Sequence, residues 1–531
     1  MPARRPVVIW GPPASGKSTV AKLLAHGRRG RLADIDEEIE RETRESITTL
    51  FAKRGEPSFR QIEREHIERA LANGVELIAV GGGALLDRAF RHRVLRCAHV
   101  VSLDASRDTL LERVGAQSAS RPLLAGDTAR RLDELLDARR DAYAEAHVRI
   151  DANGPAIDTA AWVREHLDRA SKHETLVVPL GRRTYRVIVG PARLLGAEIA
   201  ALAPSAVVYV TDAHVRDHVG GARHFGVTRL AAVVVLRGAG DREKHLATVS
   251  RIWDAALAAE IDRNALVVGA GGGVVTDLAG FAAATLLRGI RYASAPTTLL
   301  AMVDASVGGK TGFDHATGKN LVGAFHQPSV VVCDPAALAT VSERERRAGL
   351  AEIAKIALAC EPSLVEALER EATALRTLDP DALAPFIAPA IQAKIDVVVR
   401  DEHERGDRAL LNFGHTIGHA IEHAARFAIP HGECVALGMR AALALGVREG
   451  VTPPDVARRA NGLLDALGMP TRPARRLTLD AVMTALSHDK KRESGDLRFV
   501  LCEAPGRAAM HKVPRPRVRA AVRHLLEIRS R

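Results

Sequence analysis

Val7-Val-Ile-Trp10-Gly11-Pro-Pro-Ala-Ser15-Gly16-Lys17-Ser18-Thr19-Val-Ala-Lys-Leu-Leu-Ala25 reads as a strand, a glycine-bounded loop and a helix. The run Val7 to Trp10 suits a strand buried on both faces. Thr19 to Ala25 has the composition of a helix. Between them, GxxxxGK[ST] sets glycines where backbone N–H groups close around phosphates, at a helix N-terminus whose dipole favours anions. Lys17 would reach the β- and γ-phosphates, and Ser18 would hold magnesium. A glycine-rich turn with an incidental lysine is the competing account, and the flanking strand and helix argue against it.

Working outward, Asp34 and Asp36 flank one residue at a strand end, before a helical pattern. Such carboxylates serve magnesium or accept from a substrate hydroxyl, although acids also cap helices. Phe59-Arg60-Gln-Ile-Glu63 opens a charged helix. Val75 to Val80 is a strand that ends in Gly81-Gly82-Gly83, where a ligand can approach the backbone. Arg121-Pro122 lies in a small-residue segment suited to a lid, and Arg139 and Tyr143 share the next helix.

These motifs, in this order, resemble shikimate kinase over roughly residues 5 to 168. The resemblance implies transfer of the ATP γ-phosphate to the 3-hydroxyl of shikimate. It implies ATP and Mg2+ at Gly11, Ser15, Gly16, Lys17, Ser18, Thr19, Asp34 and Arg121. Shikimate would lie against Asp36, Arg60, Gly81, Gly82, Gly83 and Arg139, with Asp36 orienting the attacking hydroxyl and Lys17 and Arg121 acting on the transferred phosphoryl group. Asp141 stands where a proline is common before the tyrosine.

The chain of 531 residues is too long for one core. Its hydrophobic fraction of 47% suits globular folding, and with aromatics at 3% the cores must rest on Ala, Leu and Val. Five scattered cysteines give neither a disulfide framework nor CxxC, which suits a reducing compartment. No apolar run at the amino terminus suits a signal peptide or membrane span, so the cytoplasm is the expected location. The net charge of +11 raises nucleic acid as a partner. The cations are interleaved with acids and lack an aromatic platform, so small anionic substrates are expected instead, with no nucleic acid and no membrane.

After a short polar join at 169–175, strands and helices alternate to about Asp334. Leu266-Val-Val-Gly-Ala-Gly271-Gly272-Gly273-Val-Val-Thr-Asp277 is a strand, a glycine turn and a helix start, suited to a dinucleotide pyrophosphate but not the usual GxGxxG. Thr297 and Thr298 offer paired hydroxyls. Asp304, Lys310, Lys319 and Asn320 border a glycine-rich loop, and the apolar Val307 and Phe313 predict that it folds inward. From Ser342 the chain turns helical, with Glu352 and Lys355 one turn apart. In Leu411 to Glu433, LNFGHTIGHAIEHAARFAIPHGE, His415, His419 and His423 recur every four residues before His431. Imidazoles on adjacent turns of one face can reach one metal ion; a merely His-rich polar face is the alternative.

This second part, roughly 175 to 531, resembles 3-dehydroquinate synthase through GGGVxxDxxGF, PTTLLAMVDASVGGK, GKN, AEIxK, LNFGHTxGHAIE, HGE and DKK. The resemblance implies an α/β NAD-binding half, 176–340, and an all-helical metal and substrate half, 341–531, behind the kinase-like domain 1–168. It implies NAD+ at Asp212, Asp241, Lys244, Gly272, Gly273, Asp277, Thr297, Thr298, Lys310, Lys319 and Thr340. One divalent metal, Zn2+ or Co2+, would bind Glu352, His415 and His431. The substrate, 3-deoxy-D-arabino-heptulosonate 7-phosphate, would meet Asp304, Lys310, Lys319, Asn320, Lys355, Lys394, Arg408, Asn412, His419 and Lys490, with Lys491 competing for the last role. Asp304, Lys355 and His419 are the implied catalytic residues. Arg288 would reach across the interface of a homodimer. Asp241 replaces the family's usual glutamate and shortens the reach to a ribose hydroxyl. The implied product is 3-dehydroquinate, with phosphate released and NAD regenerated. The rival readings are another P-loop small-molecule kinase, another sugar-phosphate cyclase, a metal-dependent alcohol dehydrogenase and a non-catalytic half. The crowd of lysines favours the synthase over the dehydrogenase.

Overall fold

The computed structural model describes residues 5–26, 31–115, 127–216, 229–237, 240–316, 318–489 and 496–527. Arg121, Lys490 and Lys491 lie outside the described residues, as does the side chain of Asp241. The chain divides into two compact units, Met1–Val187 and Ile188–Arg531. The first unit runs past the polar join at 169–175 for a physical reason. Val177 packs into its core, and the Gly181 N–H donates to Glu145 Oε1 at 2.8 Å.

The first unit holds strands β1 (Val7–Trp10), β2 (Leu32–Asp34), β3 (Leu77–Ala79), β4 (His99–Asp104) and β5 (Val148–Asp151) in the order β2-β3-β1-β4-β5. All neighbours are parallel. Alternate residues of a strand point to opposite faces, and both faces here are apolar. Val8 and Trp10 join Ile78, Phe90 and Val100 on one side. Val7 and Ile9 join Leu77, Val101 and Val163 on the other. β1 is central, and the chain leaves it toward β2 and β3 on one side before crossing to β4 and β5 on the other, so the loop after β1 occupies a topological switch point, where ligands bind in open α/β sheets. The helix expected to open near Phe59 begins earlier, at Ile47, capped by Ser46; it is broken at Gly55 (φ 74°), just before Pro57.

Three histidines meet in this unit. His99 Nε2 lies 3.2 Å from His166 Nε2, and His147 Nδ1 accepts the Val100 N–H at 3.1 Å. Burial, then the neighbouring cationic and imidazole groups, lowers His99 to about 3 and His166 to about 4, and lowers His147 as well. Each ring stays neutral in the fold but gains a proton in the unfolded chain below its ordinary value of 6.5. Stability is therefore lost as pH falls through that value, by at most about 2 kcal/mol per ring at pH 5. The thermal midpoint of the unit is expected to drop by roughly 5 °C or more between pH 7.5 and 5. A His99→Phe variant should show a smaller drop, and an equal one would count against this origin.

Strands β6 (Glu174–Val178), β7 (Tyr185–Val189), β8 (Val207–Asp212), β9 (Leu230–Leu236), β10 (Leu266–Gly271), β11 (Arg291–Pro296), β12 (Lys310–His315), β13 (Gly318–Phe325) and β14 (Val330–Cys333) follow. In the second unit a parallel sheet has the order β14-β11-β10-β8-β9. Val208, Val210 and Val267 face one core, and Val207, Tyr209, Leu266 and Val268 face the other. The glycine-rich stretch around Lys310 is not a loop: β12 and β13 pair antiparallel. Thr311, Phe313 and Val322 are strand formers, and Gly312 opposes Gly323 where a side chain would strike the partner backbone. Val307 and Phe313 are buried, as their apolar character predicts.

The remainder is mainly helical. Helix Glu343–Cys360 starts at a capping box between Ser342 and Glu345. The stretch Pro380–Arg400 is long and apolar enough to cross a membrane by length and composition, yet most of it is buried within the protein, as in a core helix. A hairpin of β15 (Leu497–Ala504) and β16 (Arg507–Val513) interrupts the helices where the sequence turns strand-like. Helices His415–Ala424 and His431–Arg448 approach closely because Gly438 faces the Gly414 carbonyl and Gly418 faces Cys434, with no space for a Cβ. Gly432 does the same against Ala348 on the helix of Glu352. These contacts draw together three helices that carry polar side chains toward one point.

Candidate active sites

In the first unit, the loop after β1 turns through Gly11 (φ 141°), Ala14 (φ 63°) and Gly16 (φ 90°) before helix Lys17–Ala25. Left-handed residues in such a loop form the concave nest of N–H groups that binds phosphate. Ser15 is buried and its hydroxyl has no hydrogen-bond partner, which fits a cradle built for a ligand. Lys17 Nζ donates to Pro12 O at 2.7 Å across the loop. Ser18 and Thr19 follow at its rim, both exposed.

Asp34 caps helix Ile35–Thr43 by accepting the Glu37 N–H at 3.4 Å, and its other oxygen is buried without a partner. Asp36 stays open to solvent by surface area, although protein encloses it on most sides. That enclosure, then the charge of Asp34, raises its pKa, while Lys17 and Arg60 oppose the rise. Arg60 donates to Glu63 at 2.6 Å and to Glu56 at 3.0 Å. Glu63 is buried, and burial pushes its carboxyl up to about 7 against the pull of Arg60. The glycine triplet makes room for these side chains. A Cβ on Gly81 would overlap Glu63, and one on Gly83 would overlap Arg60. Tyr143, on the helix of Arg139, donates to Gly82 O at 2.8 Å, and Trp10 donates to the same oxygen at 3.3 Å. The expected residues other than Arg121 thus gather at one end of the sheet, and Glu63 joins them. Its signal was the i, i+3 spacing from Arg60, which also suits an ordinary surface pair.

In the second unit, Glu352, His415, His419 and His431 converge. One ring nitrogen from each histidine lies within 4.8 Å of the others. Glu352 Oε1 is 3.4 Å from His431 Nε2 and 3.9 Å from His415 Nε2. Glu352 is fully buried. Lys355 Nζ stands 2.5 Å from its Oε2, but neither carboxylate oxygen has a hydrogen bond of acceptable geometry. A buried carboxylate whose oxygens make no hydrogen bond, beside three imidazoles, is the donor set of a divalent ion. His423, on the same helix, is exposed and meets only Phe427 among ring contacts.

Cationic groups ring this cluster. Lys355 Nζ lies 3.5 Å from Asp304 Oδ2, and Lys394 pairs with Asp304 Oδ1. Burial draws protons off Lys355, but Asp304 and Glu352 outweigh it and hold the pKa above the usual lysine range. At Lys394 burial prevails, and the pKa falls to about 8. Arg408 donates to Gly308 O at 2.9 Å, while Lys310 and Asn412 share Glu404 at 2.5 and 3.0 Å. Arg288 is exposed on the turn Leu286–Arg288, with φ 67°.

The dinucleotide turn runs from β10 through Gly272, the N-cap of helix Gly273–Thr285. A Cβ on Gly271 would strike Val275 and stand 3.0 Å from Asp212, so this turn stays bare for a close-lying ligand. Asp277 pairs with Lys244 at 2.6 Å, and Lys244 reaches Asn320 Oδ1 at 2.5 Å. Thr297 N–H donates to Gly271 O, and Thr298 accepts the Ala301 N–H. Thr297 and Thr340 line a largely apolar cavity of about 180 Å3 with Leu195, Val215, Pro296 and Val332.

A phosphate loop facing paired carboxylates and arginines, and a dinucleotide turn leading to a carboxylate–histidine cluster among lysines, define a small-molecule kinase joined to a metal- and dinucleotide-dependent enzyme of anionic sugars. Residues 13–168 match the family model of shikimate kinase. Residues 233–348 and 349–492 match the models of 3-dehydroquinate synthase, N-terminal and C-terminal. A 3-dehydroquinate synthase of Rhodospirillum rubrum is 43% identical over 66% of this chain and 94% of its own. Among solved structures, 2-deoxy-scyllo-inosose synthase complexed with carbaglucose-6-phosphate, NAD+ and Co2+ has a TM-score of 0.61 at 27% identity, covering 66% of this chain and 99% of that one. ValA, a 2-epi-5-epi-valiolone synthase of Streptomyces hygroscopicus with NAD+ and Zn2+ bound, has a TM-score of 0.58 at 31% identity, covering 65% and 97%. The chain belongs to the 3-dehydroquinate synthase family, with a shikimate kinase domain fused ahead of the synthase. It is a bifunctional shikimate-pathway enzyme.

Proposed function

We propose that the two reactions are carried by the residues gathered above. In the first unit, the loop Gly11–Thr19 holds the ATP phosphates, Lys17 neutralises charge on the β- and γ-oxygens, and Ser18 and Asp34 hold magnesium. Arg60 and Arg139 take the shikimate carboxylate, since a guanidinium pairs bidentately with it. Asp36 accepts the proton of the attacking 3-hydroxyl. Arg121 belongs with the transferred phosphoryl group, as the kinase resemblance implies.

In the second unit, the substrate is 3-deoxy-D-arabino-heptulosonate 7-phosphate and the product 3-dehydroquinate. The dinucleotide would supply reversible hydride acceptance from the substrate's secondary alcohol, and a divalent metal would supply Lewis-acid polarisation of that alcohol's oxygen. Glu352, His415 and His431 would hold the metal. Asp212, Asp241, Lys244, Gly272, Gly273, Asp277, Thr297, Thr298 and Thr340 would hold the dinucleotide. Lys310, Lys319, Asn320, Lys394, Arg408, Asn412 and Lys490 orient a substrate that carries both phosphate and carboxylate. Asp304, with Glu352, holds Lys355 charged against burial, and at Lys394 it offsets part of the burial penalty. His419, exposed at the edge of the cluster, moves protons. Arg288 would act on the phosphate bound by a second copy in a homodimer, and the exposed Leu321 and Phe325 on β13 offer apolar surface for such an assembly. The cytoplasm is the proposed location.

The observation that carries the synthase reading is the convergence of Glu352 with His415 and His431 beside the Asp304–Lys355–Lys394 group. The test is phosphate release from the heptulosonate with catalytic NAD+, alongside shikimate-dependent ADP formation. Chelation is expected to abolish the first, with recovery on adding Zn2+ or Co2+, and to spare the second while Mg2+ is kept in excess. Steady NADH accumulation from an alcohol without phosphate release would overturn the synthase half.

A further inference from the structure

We infer that Glu422 is a positioning residue that ties the ligand His431 to the substrate-side lysine Lys319; the inference rests on the metal and substrate assignments proposed above. Glu422 lies on helix His415–Ala424, two turns beyond His415 and therefore on nearly the same face. It is buried, and its two oxygens are used separately. Oε2 lies 3.2 Å from His431 Nδ1, and Oε1 accepts from Lys319 Nζ at 2.9 Å.

A carboxylate on one ring nitrogen fixes the proton there and leaves the other as a lone-pair donor. Here the fixed nitrogen is Nδ1. The free one, Nε2, is the atom 3.4 Å from Glu352 Oε1, on the side where the ligands converge. Glu422 stands behind the ring and so orients His431 without competing for the ion. The second oxygen reaches β13, the strand of Lys319. Phe427 lies beneath that ammonium, 4.3 Å from Nζ to the ring centroid. The Glu422 carbonyl accepts the Phe427 N–H at 2.9 Å and helps hold Phe427 at φ 60°. Side chain and backbone of one residue thus set both the ring of a ligand and the seat of a substrate lysine. Loss of Glu422 should weaken ion and substrate together, which a purely structural role would not do.

The experiment uses full-length wild type, Glu422→Ala, Glu422→Gln and His431→Ala. Zn2+ affinity is measured by competition with a chromophoric chelator without substrate, the KM for the heptulosonate is measured separately, and the thermal melt of each variant controls for folding of the synthase unit. Glu422→Ala is expected to bind Zn2+ about 10- to 100-fold more weakly and to raise KM at least about threefold. Glu422→Gln, whose amide oxygen still accepts the Nδ1 proton, should recover Zn2+ affinity to within about threefold of wild type. Wild-type Zn2+ affinity and KM in Glu422→Ala, with binding weakened in His431→Ala, overturn the inference alone. Wild-type affinity in both variants overturns the ligand assignment along with it.

Discussion

Glu352→Gln is expected to lower phosphate release at least about 10³-fold and to leave shikimate-dependent ADP formation within about twofold of wild type. Glu352 supplies the carboxylate that faces the Nε2 atoms of both His415 and His431, from a position with no solvent exposure. Glutamine keeps the volume and removes the charge. Two losses follow. The ion loses an anionic ligand, and Lys355 keeps a buried charge with only Asp304 beside it. Removing one partner of a buried pair costs about 3–5 kcal/mol. A metal acting on a polarised oxygen contributes several kcal/mol more. Since about 1.4 kcal/mol is tenfold in rate, loss of the metal's contribution alone approaches the stated factor, while the cost of the broken pair falls on the stability of the fold. The kinase is spared because its sheet has its own two-sided core. Metal content by elemental analysis, read with both activities, checks the argument. A variant with wild-type metal content and phosphate release within tenfold of wild type would show that Glu352 is not a ligand.

The parts legible in the sequence were those whose signal is local. Strand, loop and helix lie within Val7 to Ala25, so the phosphate site and the parallel sheet could be read together. The turn at Gly271–Gly273 was legible for the same reason. What spacing could not give was convergence across long stretches of chain. The reading of ligands on adjacent turns brings His415 and His419 to one point, and the structure agrees. At 100° per residue, however, His423 has turned about 80° from His415 and faces solvent. Nothing local says that Glu352 completes the set; only the resemblance to a family placed it there. The hairpin of β12 and β13 was hidden because glycines read as loop, whereas here they let two strands approach. Glu63 and Glu422 were hidden for a different reason. Acids at helical spacing usually mark a solvated face, and only burial reveals that these two are used.

Asp36→Asn is expected to lower kinase turnover by about 10²- to 10⁴-fold, the usual contribution of a general base, with KM for ATP within about twofold and phosphate release by the synthase unchanged. The carboxyl sits where Lys17 and Arg60 both act on it, between the phosphate loop and the glycine triplet. Asparagine can still orient a hydroxyl, but it cannot take its proton, so the split between turnover and KM separates the two roles. The pH profile adds an independent check. Enclosure and Asp34 raise the Asp36 pKa, so the active, deprotonated form is lost earlier on acidification than for an ordinary aspartate. The acid limb of turnover should therefore lie above the usual carboxylate range. Glu63, near 7, contributes in the same direction, because its anion is what pairs with Arg60. A Glu63→Gln variant distinguishes the two. If the acid limb moves down in that variant while turnover at high pH is kept, the limb belonged to Glu63, and Asp36 titrates below it. If the limb stays and is lost only in Asp36→Asn, the base is Asp36. Turnover near wild type in Asp36→Asn, with KM for shikimate raised, would instead reduce Asp36 to a binding group and leave positioning and the charge of Lys17 to carry the transfer.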